Sequence, residues 1–524
     1  MVLPKNSNIL VDQTSFDGIE QETSIDLNCK HKAQATIIIQ RTSRPSAIVD
    51  GSGGLTHSHQ PHSYQPVPQS SPPPMLVPKN ETPKVDSNKV TKAILLGGLV
   101  AFGAVPNALA DTWPQWRGPK NDGVSSEKNI ATQWSTKDNV LWRCELPGQA
   151  GATPVVWNDR VFLTSAQGDD LVLIAVSTKD GKKLWQQKVG SGNQDARAGE
   201  GNSASPSPCT DGKHVWCFFG TGILACYTVD GQPVWKIDVN DKFGKLDIQF
   251  GMTSTPVLDA DALYLQLLHG PMRRDDNTRT GKVIKLDKKT GETIWSVDRI
   301  TQAEFECKHS YASPFIYRDG KQEFLVVHGA DCITGHQLGS GQELWRFGQL
   351  NGPTNINPKQ NDPTFRFVAS PLVIPGSIIV PTAKEGPMVA LNVSESLQGD
   401  ASSKPDVVAW NIPRTPDVSI PLVVDGLVYV LHKDGKLQCL DHKTGQEIYF
   451  QRTYTGQHRS SPTYADGHIY FASNDGHCTV VKAGKDFEIV STIPMGEAIT
   501  ASPIVSDGVL YIRSYQALYA IKKQ

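Results

Sequence analysis

The chain has 524 residues, a formal net charge of −2 and only 20% charged residues. A near-neutral chain offers no basic face to a phosphate backbone, so nucleic acid is excluded as an expected partner. Forty-five glycines and 35 prolines break the chain too often for long helices and suit many short strands joined by turns.

Residues 1–92 show no sustained hydrophobic period, and Gly51–Pro74 is mostly Ser, Pro, Gln, His and Gly. Such a segment buries too little apolar surface to offset its ordering entropy, so 1–92 reads as a low-complexity leader. His57, His59 and His62 belong to that tract and form no metal motif. Lys84, Lys89 and Lys92 then precede an uncharged run, Ala93–Val105, which ends in Ala108-Leu-Ala110. A basic stretch, a short apolar core and an A-x-A site make 93–110 a secretory signal peptide cleaved after Ala110. Met75 would start a leader of conventional form, with residues 1–74 an over-extended reading frame. The alternative is a single membrane anchor, for which the run is short against the roughly 20 residues a spanning helix needs.

From residue 111 onward a unit repeats: Ser/Thr-Pro, a few apolar residues, Asp-Gly, an apolar pair, a Gly turn, Leu-x-Ala-Leu-Asp, Thr-Gly, then Trp. The Ser/Thr-Pro element recurs at Pro154, Pro206, Pro256, Pro314, Pro371, Pro462 and Pro503, with Ile-Pro421 as a variant. The Trp element recurs at Trp142, Trp185, Trp235, Trp295, Trp345 and Trp410, then becomes Tyr449 and Val490. Each series has eight members. Asp-Gly and Thr-Gly supply the positive φ that tight hairpins require. Four strand-length runs per unit of roughly 52 residues predict an all-β fold, an eight-bladed β-propeller of four-stranded antiparallel blades over 111–524. The first Trp element precedes the first Ser/Thr-Pro, and the last unit stops before its own. The N-terminal strand is therefore expected to complete the last blade and close the ring, removing two open edges. The Trp elements are expected to dock blade on blade.

The Leu-x-Ala-Leu-Asp…Thr-Gly…Trp unit resembles the pyrroloquinoline-quinone-type (PQQ-like) propeller repeat. The opening Trp113-Pro-Gln-Trp116-Arg-Gly-Pro119 and the stretch Ala204-Ser-Pro-Ser-Pro208 resemble a bacterial exported subgroup of that family. The repeat is shared by quinoprotein dehydrogenases and by the periplasmic lipoprotein that assists outer-membrane β-barrel assembly. The dehydrogenases stack their quinone between a vicinal Cys-Cys disulfide and an axial Trp, over Ca²⁺. This chain has no adjacent cysteines and no Cys-x-x-Cys-His. Its eleven tryptophans are all placed elsewhere: six in Trp elements, Trp157 and Trp216 near early turns, and Trp113, Trp116 and Trp134 ahead of the ring. No catalytic residue and no metal site is expected, and no cofactor, PQQ and Ca²⁺ entering only with the dehydrogenase alternative.

Eight cysteines follow the leader, without zinc-type spacing. Cys217 and Cys226 flank a hairpin turn and either bridge it or remain buried thiols, the second favoured because Cys226 and Cys439 hold the small-residue place of Leu-x-Ala-Leu-Asp. A ligand site, if present, belongs at the axial mouth on the loops that feed the inner strands. Those loops bring Asn202, His309, Tyr311, Arg366, Asp417, His458 and Arg459 near the Ser/Thr-Pro elements, a set able to hold an anion or a sugar, or simply a solvated rim. The insertion His269–Gly281, with its mixed charges, reads as a surface hairpin. The expected function is an exported, monomeric, non-catalytic scaffold that binds another protein, in the periplasm or outside the cell. The alternatives are a quinoprotein dehydrogenase and a carbohydrate-binding or carbohydrate-processing propeller.

Overall fold

The structure is a computed structural model that describes residues 112–197, 200–273 and 281–523. Met75, the leader, the signal sequence with its site after Ala110, and residues 274–280 of the insertion lie outside the described residues. Among the described residues no helix is long and apolar enough to cross a membrane.

Eight sheets follow one another along the chain, each built on four antiparallel strands in up-and-down order. Blade one pairs Val155–Trp157, Arg160–Gln167, Asp170–Ser177 and Lys183–Ser191 in sequence order. Blades two to seven occupy 209–238, 257–298, 315–347, 372–412, 422–452 and 463–494. Blade eight takes its first three strands from 504–521, and its outer strand is Val140–Glu145, paired antiparallel with Ala517–Ile521. Arg143 on that strand lies 2.8 Å from Glu497 Oε1 and donates to the Tyr519 hydroxyl at 3.0 Å, so charge-assisted bonds fasten the two ends of the ring.

The second and third strands of each blade are apolar on both faces, because each sheet is sandwiched between two neighbours. Arg160–Gln167 and Asp170–Ser177 are buried at every internal position. Outer strands alternate instead, as in Thr293–Asp298, since only one face meets the next blade. Asp425-Gly426, Asp466-Gly467 and Asp507-Gly508 each place two successive residues at positive φ, the geometry of a two-residue hairpin turn. The Asp of Leu-Asp-x-x-Thr-Gly shapes the next turn: Asp441 Oδ1 accepts from the Lys443 and Thr444 amides and the Thr444 hydroxyl, and Asp287 does the same.

The Trp element locks blade to blade. Trp142, Trp185, Trp235, Trp295 and Trp410 donate their indole N–H to a carbonyl in the following blade's last turn: Thr178 (2.8 Å), Val229 (2.9 Å), Lys288 (3.0 Å), Leu338 (3.1 Å) and His442 (2.8 Å). Each ring rests on the Thr-Gly-type glycine of that turn. A Cβ on Gly181, Gly231, Gly291, Gly341 or Gly445 would lie 2.7–2.8 Å from the indole, and every one of these glycines has positive φ. Across the strand pair, a small residue faces most of these aromatics: Ala520, Ala175, Cys226, Ala390 and, opposite Tyr449, Cys439.

Trp345 departs from the pattern. Blade five replaces the tight last turn with the excursion 393–407, whose residues Gly399–Asp400 add a fifth, parallel strand to blade four. Without that turn carbonyl, Trp345 folds over Gly335 of its own sheet, and its Nε1 has no hydrogen-bond partner among the described residues.

The eight cysteines among the described residues are free and buried. A Cys217–Cys226 bridge does not form, for a geometric reason. Cys217 pairs with Ala225 and Cys226 with Trp216, so alternation sends the two thiols to opposite faces of the sheet. Cys217 packs towards blade one and Cys226 towards blade three.

A second inter-blade device circles the axis. The hydroxyl before each inner-strand proline accepts a backbone N–H from the preceding blade. Thr153 N donates to Ser207 Oγ (2.9 Å), Ser207 N to Thr255 Oγ1 (3.1 Å), Thr255 N to Ser313 Oγ (2.9 Å) and Ser313 N to Ser370 Oγ (2.8 Å). Further round, Ile420 N donates to Ser461 Oγ (3.0 Å), Ser461 N to Ser502 Oγ (2.9 Å) and Ser502 N back to Thr153 Oγ1 (3.2 Å). The link from blade five to blade six is missing because Ile420 has no hydroxyl. Blade two uses Ser207-Pro208, not the Ser205-Pro206 that the repeat spacing selected, and Ser205 Oγ instead accepts from Asn202 N.

Two outcomes test these devices in urea unfolding of the full chain. Gly231→Ala, which drives a methyl into Trp185 at a left-handed φ, is expected to cost about 2–4 kcal/mol, whereas Gly467→Ala, with similar φ and open space, costs about 1 kcal/mol. Thr255→Val preserves shape but strands the buried Ser207 N–H, and is expected to cost about 1–3 kcal/mol.

Candidate functional site

The hydroxyl belt encircles a cavity of about 660 Å³, lined by residues from all eight blades. Belt residues Thr153, Ser207, Thr255, Ser313, Ser370, Ser461 and Ser502 form its waist, and the loops feeding the inner strands form its mouth.

Five of the seven residues expected at the mouth line this cavity: Tyr311, Arg366, Asp417, His458 and Arg459. Their charges are neutralised within the ring. Arg366 Nη1 lies 2.6 Å from the buried Glu306, and its guanidinium sits 5.0 Å over the Phe250 ring. Arg459 pairs with Glu200 at 2.9 Å. Asp417, at φ +76°, accepts from Lys384 N and faces Lys433 Nζ at 3.4 Å. Lys384 in turn meets Asp362 at 3.0 Å. His458 is fully buried, its Nδ1 2.9 Å from the Gly456 carbonyl, and burial lowers its pKa. That contact makes Nδ1 the protonated nitrogen of a neutral ring.

The other two sit behind the wall. Asn202 is a buried loop clamp, donating to Gln149 O at 2.7 Å and accepting from Ala204 N. His309 is fully buried, with Nε2 2.8 Å from Gly270 O, and burial lowers its pKa. Both lie just before a Ser-Pro or Ser-x-x-Ser-Pro stretch, which gives position along the chain but not side-chain direction. Phe250, Glu200, Lys384 and Lys433 line the cavity without having been singled out. Of these, only Lys433 belongs to a repeated feature, the Gly turn between the second and third strands of its blade.

The far end of the axis is closed by the segment ahead of the ring. Trp113 exchanges two 2.9 Å backbone bonds with Val156 of blade one, and Pro114 O accepts from Thr210 N of blade two. Gln115 Oε1 accepts from Leu258 N of blade three, and Trp116 packs on Phe315 of blade four. Gly123 and Ser125 then bracket Tyr464 of blade seven. These contacts fall two or three residues past the belt, so the segment crosses beneath it. Trp116 lines the cavity from below. An axial aromatic floor is therefore present, supplied by a residue that the repeat count set aside as lying before the ring. Arg117 beside it is fully buried, and burial lowers its pKa to about 10.

The donor set does not fit a quinone held over Ca²⁺. The mouth carboxylates Glu200, Asp417 and Asp434 are each committed to a cation. Among the described residues no three His, Cys, Asp or Glu side chains converge as metal ligands, and no cysteine pair stands opposite the floor.

Comparison with known proteins agrees with the architecture. The family model described as outer membrane protein assembly factor BamB matches residues 124–267, 197–409 and 407–489. A curated relative, the outer membrane protein assembly factor BamB of Burkholderia pseudomallei (strain K96243), is 23% identical over 282 residues, which are 50% of this chain and 64% of that protein. The chain thus spans less than two thirds of that relative's length. Among solved structures, BamB from Moraxella catarrhalis superposes with a TM-score of 0.53 at 13% identity, covering 73% of this chain and 99% of that one. The quinohemoprotein alcohol dehydrogenase from Comamonas testosteroni gives 0.56 at 12% identity, covering 80% and 82%. A europium-containing methanol dehydrogenase gives 0.55 at 12%, covering 78% and 90%. At these identities the structural matches carry the fold alone. With the repeat, the eight blades and a family model spanning more than half of its length, this chain belongs to the PQQ-like repeat family described as outer membrane protein assembly factor BamB.

Proposed function

We propose that the chain is an exported, non-catalytic scaffold that holds another protein at the axial mouth. The observation that carries this reading is the state of the mouth charges. Arg366, Arg459, Lys384 and Lys433 are each paired with a carboxylate of the ring. Paired charges give a polar, preformed rim that can exchange hydrogen bonds with a partner chain, and among the described residues every Lys and Arg lining the cavity is held in such a pair. The blind cavity below, floored by Trp116, can accept a side chain or loop of the partner as an anchor. The assembly role named for the relatives supports the same reading. Tyr311, the mouth aromatic that a sugar platform would use, is only 7% exposed, which weighs against the carbohydrate alternative.

A photo-reactive amino acid tests the location. Placed at Lys433 on the mouth of the full chain in the producing cell, it is expected to yield discrete protein adducts on irradiation. Placed at Lys188 on the outer rim, a comparably exposed position, it is expected to yield none of the same adducts. Identical adducts from both positions, or none from Lys433, would contradict the proposal.

A further inference from the structure

Two buried histidines lie directly behind the cavity wall, and neither contributes to its lining. His269 is 4% exposed and His309 fully buried. Both point a ring nitrogen at the same surface loop, between the helical turn Val239–Phe243 and the inner strand of blade three. Asp247 N donates to His269 Nδ1 at 3.2 Å, and Gln249 N approaches His309 Nδ1 at 3.5 Å. His309 Nε2 stands 2.8 Å from the Gly270 carbonyl, which makes Nε2 the proton-bearing atom and leaves Nδ1 a lone-pair acceptor. The residue after Gln249 is Phe250, which lines the cavity, stacks under the Arg366 guanidinium and lies 6.2 Å from the Tyr311 ring.

We propose that His269 and His309 form an acid-operated catch that holds the Phe250 wall of the mouth in place. A proton added at Nδ1 turns each acceptor into a donor. The imidazolium N–H then faces the backbone N–H of Asp247 or Gln249, and the attraction becomes a repulsion. The His309 Nε2 contact to Gly270 is unaffected, so that ring stays and the loop leaves. The Asp247 carbonyl remains tied to Gly270 N at 3.0 Å, which makes Gln249–Phe250 the part that moves.

The charged surroundings are mixed. His269 is faced by His309, by Asp247 of the loop and by Lys282 at the start of the third strand of blade three. His309 is faced by Glu306 of the turn Phe305–Lys308, by Asp247 and by Arg366 from the approach to blade five. Lys308 donates to Pro271 O alongside them. Burial pushes His269 down to about 4 and lowers His309, and the neighbouring imidazole adds to the effect on His269. Because both values lie below the ordinary 6.5 of free histidine, the catch is fully closed above that pH. It weakens as pH falls from there towards 4.

Hydrogen exchange on the full chain, corrected for the intrinsic pH dependence of exchange, reads the catch amide by amide. At pH 7.5 the Asp247 and Gln249 amides are expected to be protected. At pH 4.5 they are expected to lose protection by roughly tenfold or more, while the belt amides of Ser207 and Ser461 keep theirs. In His269→Gln with His309→Gln the side-chain carbonyl can still accept but does not titrate, so protection of the loop is expected to become independent of pH. If the double variant does not fold, the wild-type profile decides alone. Loop amides that stay protected at pH 4.5, or that lose protection only together with the belt, would overturn the proposal.

Discussion

The fold depends on one contact repeated around the ring: an outer-strand tryptophan laid on the turn glycine of the next blade, its N–H on that turn's carbonyl. A four-stranded blade buried on both faces has no stable existence by itself, because its middle strands are apolar all round. Stability must come from neighbours, and the tryptophan sets the distance and angle at which each neighbour docks. The glycine is required twice over. Its φ is positive, and a Cβ would occupy the space of the indole. Where blade five loses the turn, the lock is lost, and the chain compensates with the Gly399–Asp400 strand that covers the outer edge of blade four.

Nearer the axis the hydroxyl belt performs the same task with hydrogen bonds. In seven of the eight blades it turns the residue before the inner-strand proline into the acceptor for the blade before, so the ring is stitched at its centre as well as at its rim. One consequence concerns function. Seven of the hydroxyls that line the cavity each accept a backbone N–H from the neighbouring blade, and the cations above them are paired with carboxylates. What the mouth offers is shape, a floor of Trp116 and a polar rim whose geometry is fixed before any partner arrives. Preformed polar surfaces of this kind suit recognition, since little ordering entropy is lost on binding.

Much of this was legible in the sequence, and the reasons are physical. The period of the Trp and Ser/Thr-Pro elements carried the blade number, since each marks a contact that every blade must make. Asp-Gly marked the turns because few other pairs tolerate two positive φ values. The cavity was located by the rule that function sits on loops, and Arg366, Asp417, His458 and Arg459 were found there. Side-chain direction was not legible. His309 and Asn202 are close in sequence to the mouth yet turn inward, and Cys217 and Cys226 are near neighbours yet face opposite blades. Trp116 was misplaced because it belongs to no repeat. Only the path of Trp113–Ser125 across the axis makes it a floor, and that path is written in contacts with blades as far along the chain as Tyr464.

We propose that this ring presents its mouth to a protein and not to a redox cofactor. The most direct test is thermal unfolding of the full chain with pyrroloquinoline quinone and Ca²⁺, each alone and together. A ligand that binds only the folded state stabilises it by about 2.7 kcal/mol at 100 times its Kd. Paired mouth charges and the absence of a converging ligand set among the described residues predict no shift with either addition or with both. A joint rise of the unfolding temperature, larger than either alone, would contradict the account and place a cofactor on the Trp116 floor.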